Sequence, residues 1–145
     1  FLLYFFINYN IDMSNPFIQL TDHSILPKRS TSESVGYDLY ISHDFVCRGQ
    51  MVSKIHLGIS LNMESHLWAQ ILSRSSLALK GLFVQGGVID SDYHDELCVL
   101  IYNSNNVDYT FKHGDKIAQL VFHNVIVFDD ENKNKRKGGF GSTGN

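Results

Sequence analysis

Residues 54–63 read Lys-Ile-His-Leu-Gly-Ile-Ser-Leu-Asn-Met, with Ile55, Leu57, Ile59, Leu61 and Met63 at every second position. A period of two puts all five side chains on one face of an extended chain, whereas a helix would spread them around its axis. The stretch predicts a strand with one buried face. Residues 107–111 alternate in the same way, and the turn His113-Gly114-Asp115 leads into the apolar residues 117–122. Residues 97–102 form an unbroken apolar run with the length of a strand buried on both faces. No segment sustains a helical period; the best candidate is residues 75–82, about two turns. Short strands separated by Gly and Asn/Asp turns predict an all-β sandwich or jelly roll.

Size supports one domain. A chain of 145 residues can bury a core without disulfides, and 43% hydrophobic content with 10 Phe and 7 Tyr suits a packed protein. A net charge of −3 offers no general attraction to nucleic acid, so no nucleic-acid partner is expected. Cys47 and Cys98 are far apart and read as buried thiols of a reducing compartment, a lone disulfide being the alternative. The seven histidines are scattered without the spacing of a metal site. Residues 1–7 are strongly apolar but too few to cross a bilayer, and no membrane partner is expected. Met13 lies just downstream, and the expectation is that the native protein starts there. The chain then divides into an extension over residues 1–16, a β domain over 17–128 and a flexible arm over 129–145.

The stretch richest in chemistry is residues 85–96. Gly86 and Gly87 allow a tight turn and close approach to a ligand, Val88-Ile89 reads as a short buried strand, and Asp90 emerges at its end. A carboxylate on a stiff strand beside a glycine turn and Tyr93 is a candidate general base in a small-molecule pocket. An acidic hairpin tip is the plain alternative. After Phe128 comes a charged stretch with no apolar anchor, then Gly138-Gly139-Phe140-Gly141-Ser142-Thr143-Gly144. One ring cannot hold a glycine-rich strand against its entropy. The tail is either a disordered terminus or a flap whose backbone and hydroxyl groups wrap phosphate while Phe140 stacks on a base.

Five segments in order carry a resemblance. They are Val35-Gly36-Tyr37-Asp38-Leu39-Tyr40, then Ser73-Arg74-Ser75-Ser76-Leu77-Ala78, then Gly87-Val88-Ile89-Asp90-Ser91-Asp92-Tyr93. Gly114-Asp115-Lys116-Ile117-Ala118-Gln119-Leu120 and Gly139-Phe140-Gly141-Ser142-Thr143-Gly144 follow. In order and spacing they resemble the motifs of the trimeric dUTP pyrophosphatases (dUTPases) over about residues 18–144. The resemblance implies a jelly-roll (β-clip) subunit, a homotrimer with sites shared between subunits, and an arm that crosses to close a neighbour's site. The implied reaction is hydrolysis of dUTP to dUMP and pyrophosphate with Mg²⁺. That limits uracil in DNA and supplies dUMP for dTMP synthesis, in cytoplasm or nucleus.

Carried over, the resemblance makes Asp90 the catalytic base that deprotonates the attacking water. Tyr93 would pack on the deoxyribose and exclude a 2′-hydroxyl. The backbone of Gln85, Gly87, Val88 and Ile89 would read uracil. Arg74, Ser75, Ser76 and Gln119 would bind the phosphate chain, and Asp38 would help place Mg²⁺ through water. From the arm, Lys135 and Arg136 would add charge, Phe140 and Gly141 would cover uracil, and Ser142 and Thr143 would bind the terminal phosphates. As plain alternatives, Asp38 is a turn acid, Arg74 a subunit-interface ion pair and Gln119 a solvent-exposed side chain.

Several positions depart from the pattern: Ser73 for proline, Ser76 for glycine, His94-Asp95 for Arg-Gly, and Lys135-Arg136 for Arg-Gly. Lysine keeps charge but loses the bidentate fork. These departures support one alternative, a dUTPase-like nucleotide-binding or regulatory protein with weak turnover. The related dCTP deaminases share the Ser73–Ala78 pattern but need a glutamate where Leu100 stands, which disfavours deamination.

Overall fold

The chain folds as predicted from its short alternating runs, the regular structure of the described residues being nearly all strand. The computed structural model describes residues 15–128 and 138–139. In chain order the strands are β1 (Phe17–Gln19), β2 (Lys28–Arg29), β3 (Tyr37–Tyr40), β4 (Phe45–Cys47), β5 (Met51–His56), β6 (Ile59–Leu61) and β7 (Leu67–Leu72). The single short helix among the described residues, α1 (Ser75–Ala78), precedes β8 (Leu82–Gln85), β9 (Val88–Ile89), β10 (Cys98–Asn103), β11 (Tyr109–Phe111) and β12 (Lys116–Asn124).

The largest sheet has the order β2-β3-β12-β7-β9, a second has β5-β10-β8, and two-stranded pairs β1-β6 and β11-β4 complete the set. Every pairing is antiparallel. Neighbours such as β3-β12 and β5-β10 are distant in sequence, the crossed connectivity of a jelly-roll-like sandwich. The inner faces meet in one core that includes Leu39, Ile55, Ile101, Phe111, Ile117 and Leu120. Phe17, Tyr37 and Phe122 close one side of it with centroid separations of 5.2, 5.9 and 5.7 Å, linking β1, β3 and β12.

Three expectations change. Residues 54–63 are not one strand: Gly58, at φ +69°, turns the chain, so β5 joins β10 and β6 joins β1. The five alternate apolar residues stay buried because both pieces face the same core. The helical candidate stops after one turn, where Gly81 at φ +77° redirects the chain into β8. Of Val88-Ile89 only Ile89 is buried.

Of the expected residues 97–102, all but Leu97 lie in β10, the middle strand of its sheet, one face sealed in the core and the other half-covered. Cys47 and Cys98 are both free and buried. Among the described residues no helix is long and apolar enough to cross a membrane.

Candidate active site

Two groups of side chains stand out, and the sheets explain both. The first surrounds a cavity of about 350 Å³. One wall is the β8-β9 connection, which passes from one sheet to the other through a turn at Gly86, φ +64°, and Gly87, φ +102°. Gly87 has no room for a side chain, since an added Cβ would stand 2.5 Å from the Ile71 carbonyl oxygen. That closeness is locked by Ile71 N–H donating to the Gly87 carbonyl at 2.8 Å. Tyr93 also lines the cavity, as do Cys98 and Leu100 of β10, where Leu100 is the register partner of Gln85 on β8.

Tyr93 is 6% exposed. Its N–H donates to the Asp90 carbonyl at 3.1 Å, and its hydroxyl donates to the Glu96 carbonyl at 2.6 Å. The ring is thus tied at both ends against the cavity. Asp90 leaves β9 directly and is exposed. β9 itself is paired to β7 through Ala69↔Ile89 and Gln70↔Val88, so the carboxylate hangs from a strand fixed in the large sheet. Gly139 lies on the Tyr93 ring within the same chain and lines the same cavity.

The second group gathers on the outer surface of β3 and β12. The register pairs Gln119 with Asp38, and Lys116 opens β12 beside Tyr40. Asp38 Oδ2 accepts from Ser30 Oγ at 2.8 Å and pairs with Lys116 Nζ at 2.7 Å. Its Oδ1 faces Arg74 Nε at 3.4 Å. Burial raises the Asp38 carboxyl, but hydrogen bonds from Lys116 and Ser30 and the charges of Lys116 and Arg74 together outweigh it, leaving the group below its ordinary value. Arg74 is held again by Nη1 donating to the Lys116 carbonyl at 3.2 Å. Its ion pair with Asp38 is made inside one chain.

Gln119 is half-buried, its Nε2 donating to the Ser73 carbonyl at 3.0 Å. Gly36 makes room for it: a Cβ there would come within 2.6 Å of Gln119 Oε1. Ser73 in turn accepts the Val84 N–H on its hydroxyl at 2.8 Å, so the group is strapped to the strand that begins the cavity wall. A proline at 73 could not make that bond. Ser75 and Ser76 stand exposed next to Arg74.

The structure thus brings Asp38, Arg74 and Gln119 together beside Ser75 and Ser76, and Gln85, Gly87, Val88, Ile89 and Tyr93 around the cavity, with Asp90 next along the chain from Ile89. Lys135, Arg136, Phe140, Gly141, Ser142 and Thr143 lie outside the described residues. Sequence reasoning gave no role to Lys116, although it stands three residues before Gln119, or to Ser30, which only the β2-β3 pairing brings to Asp38. Among the described residues no three His, Cys, Asp or Glu side chains are grouped to cage a metal ion. An ion such as Mg²⁺, which keeps much of its water, could still be met from Asp38 Oδ1, the carboxylate oxygen with the looser contact.

Comparison with known proteins gives the family. The dUTPase family model matches residues 22–144. The chain is 32% identical over 149 residues to the deoxyuridine 5'-triphosphate nucleotidohydrolase of monkeypox virus, covering 99% of each chain. It is 33% identical to the rat enzyme of that name, covering 92% of this chain and 68% of the rat protein. It is also 38% identical to part of the Pol polyprotein of an ovine maedi visna related virus, of which it spans only 12%. Among solved structures, the dUTPase of Staphylococcus bacteriophage 80alpha with dUpNHpp superposes with a TM-score of 0.74 at 21% identity, covering 88% of this chain and 96% of that one. A phage phi11 dUTPase mutant described with a coordinated structural Mg(II) ion gives 0.73 at 21% identity, covering 80% and 94%. The chain belongs to the dUTPase family.

Proposed function

We propose that the protein hydrolyses dUTP to dUMP and pyrophosphate. The observation that carries this reading is the cavity, lined by the Gly86-Gly87 turn, where no side chain intervenes, and by Tyr93, with Asp90 following directly on the lining residue Ile89. A planar base reaching the Gly86-Gly87 turn meets backbone donors and acceptors at close range. A sugar against Tyr93 has no room for a 2′-hydroxyl, and a water beside Asp90 can lose its proton to the carboxylate. Arg74, Ser75, Ser76 and Gln119 bind the phosphate chain, with Lys116 adding charge. Lys135, Arg136, Phe140, Gly141, Ser142 and Thr143 close the site from the arm.

Mg²⁺, carried in on the triphosphate, neutralises phosphate charge, and Asp38 meets its water shell. The working assembly is a homotrimer in which the two groups face each other across subunit boundaries. Support comes from Ile126, Val127 and Phe128, an apolar run that is 86, 79 and 89% exposed in one chain. Two free buried thiols suit a reducing compartment such as cytoplasm or nucleus.

Pyrophosphate release from dUTP, dCTP, dTTP and UTP with Mg²⁺ tests the reading. Release from dUTP alone is the expected result; binding of dUTP without release would overturn it.

A further inference from the structure

Glu96 belongs to neither group, yet it is the residue on which Tyr93 hangs. Its carbonyl accepts the Tyr93 hydroxyl at 2.6 Å. Its carboxylate reaches the other way: Oε1 accepts the Gly58 N–H at 2.8 Å, and Oε2 meets His56 Nδ1 at 2.7 Å. Gly58 is the buried point where the long alternating stretch breaks at φ +69°. Its N–H therefore needs a partner, since a buried backbone donor without one is costly. The adjoining main chain runs through Leu97, which donates to Ile59 at 2.7 Å and accepts from Leu57 at 3.2 Å. The Glu96 side chain thus pins the end of the Asp90–Glu96 loop to the β5-β6 break, and the loop presents Tyr93 to the cavity.

We propose that Glu96 is a positioning residue for sugar discrimination. It sets how closely the Tyr93 ring approaches the ligand and so how strongly a ribose is refused. This rests on the proposed reading that Tyr93 flanks the sugar. The His56 contact adds little, because that imidazole is 54% exposed and such pairs are weak in water. The Gly58 contact carries the effect.

The test compares wild type, Glu96→Ala and Glu96→Gln in binding dUpNHpp and its ribo analogue, which needs no turnover. Glutamine keeps an acceptor for the Gly58 N–H and can donate to His56, so its deoxy-to-ribo preference should stay within about twofold of wild type. Alanine should narrow that preference about five- to tenfold, the scale of one lost hydrogen bond. A merely structural role predicts something else: a lower melting temperature in Glu96→Ala, with both affinities falling in equal proportion, and that outcome overturns the proposal. A second readout does not depend on nucleotide. With 3-fluorotyrosine incorporated, the Tyr93 fluorine resonance should shift or broaden in Glu96→Ala and remain in place in Glu96→Gln. An unchanged resonance in Glu96→Ala also overturns the proposal. Failure of wild type to bind dUpNHpp would sink the function instead, leaving the fluorine result to judge Glu96.

Discussion

Asp38 is held by a hydroxyl and two cations, so its loss should be felt in stability before activity is considered. Asp38→Asn strands Lys116 and Arg74 without their counter-charge and should cost about 1–3 kcal/mol in urea unfolding. The pH dependence follows from the direction of the shift. The folded carboxyl lies below its ordinary value, so its contribution is full above about pH 4 and is lost as pH falls through the lower folded value. The stability gap between wild type and Asp38→Asn should therefore be level near neutrality and close on acidification. A gap that widened in acid would contradict the pairing. For Asp90, replacement by asparagine should lower kcat by about 10²–10⁴-fold with little change in dUpNHpp affinity. Undiminished turnover would remove it from the mechanism. Burial pushes the Cys98 thiol up to about 11, the Lys54 charge lowering it and the Glu96 charge raising it by less. Native protein at neutral pH should thus alkylate at Cys98 far more slowly than unfolded protein, as mass spectrometry can follow.

The β8-β9 turn is the element whose shape matters most, and its two glycines are not equivalent. Gly86 has a left-handed backbone with nothing within 4 Å of an added Cβ, so Gly86→Ala carries only the conformational cost, about 1 kcal/mol. Gly87→Ala adds a collision with the Ile71 carbonyl and should cost more in stability while forcing the cavity wall outward. Parallel melting and dUpNHpp titration of the two variants would check this order. Equal effects would mean that the wall has slack. The same contrast governs the end of α1, where a left-handed Gly81 limits to one turn a stretch whose composition allows two.

For the whole molecule, sedimentation should find three 16.5-kDa chains in the active species. A fully active monomer would mean that one chain's two groups suffice. Much of this was legible in the chain. Period-two alternation marked the strands at residues 54–63 and 107–111, since burial on one face of a sheet demands it. The glycine pair followed by Val88-Ile89 marked the turn and strand that line the cavity, because those residue types suit a tight turn and a stiff strand. What the sequence by itself determined was the all-β class, the candidate acid and the order of the five motifs. Tertiary structure alone decided the break at Gly58, the pairing of Ser30 and Lys116 with Asp38, and the link from Glu96 to Tyr93. Each depends on strands far apart in the chain meeting in one register, and local propensity carries no information about register between distant segments.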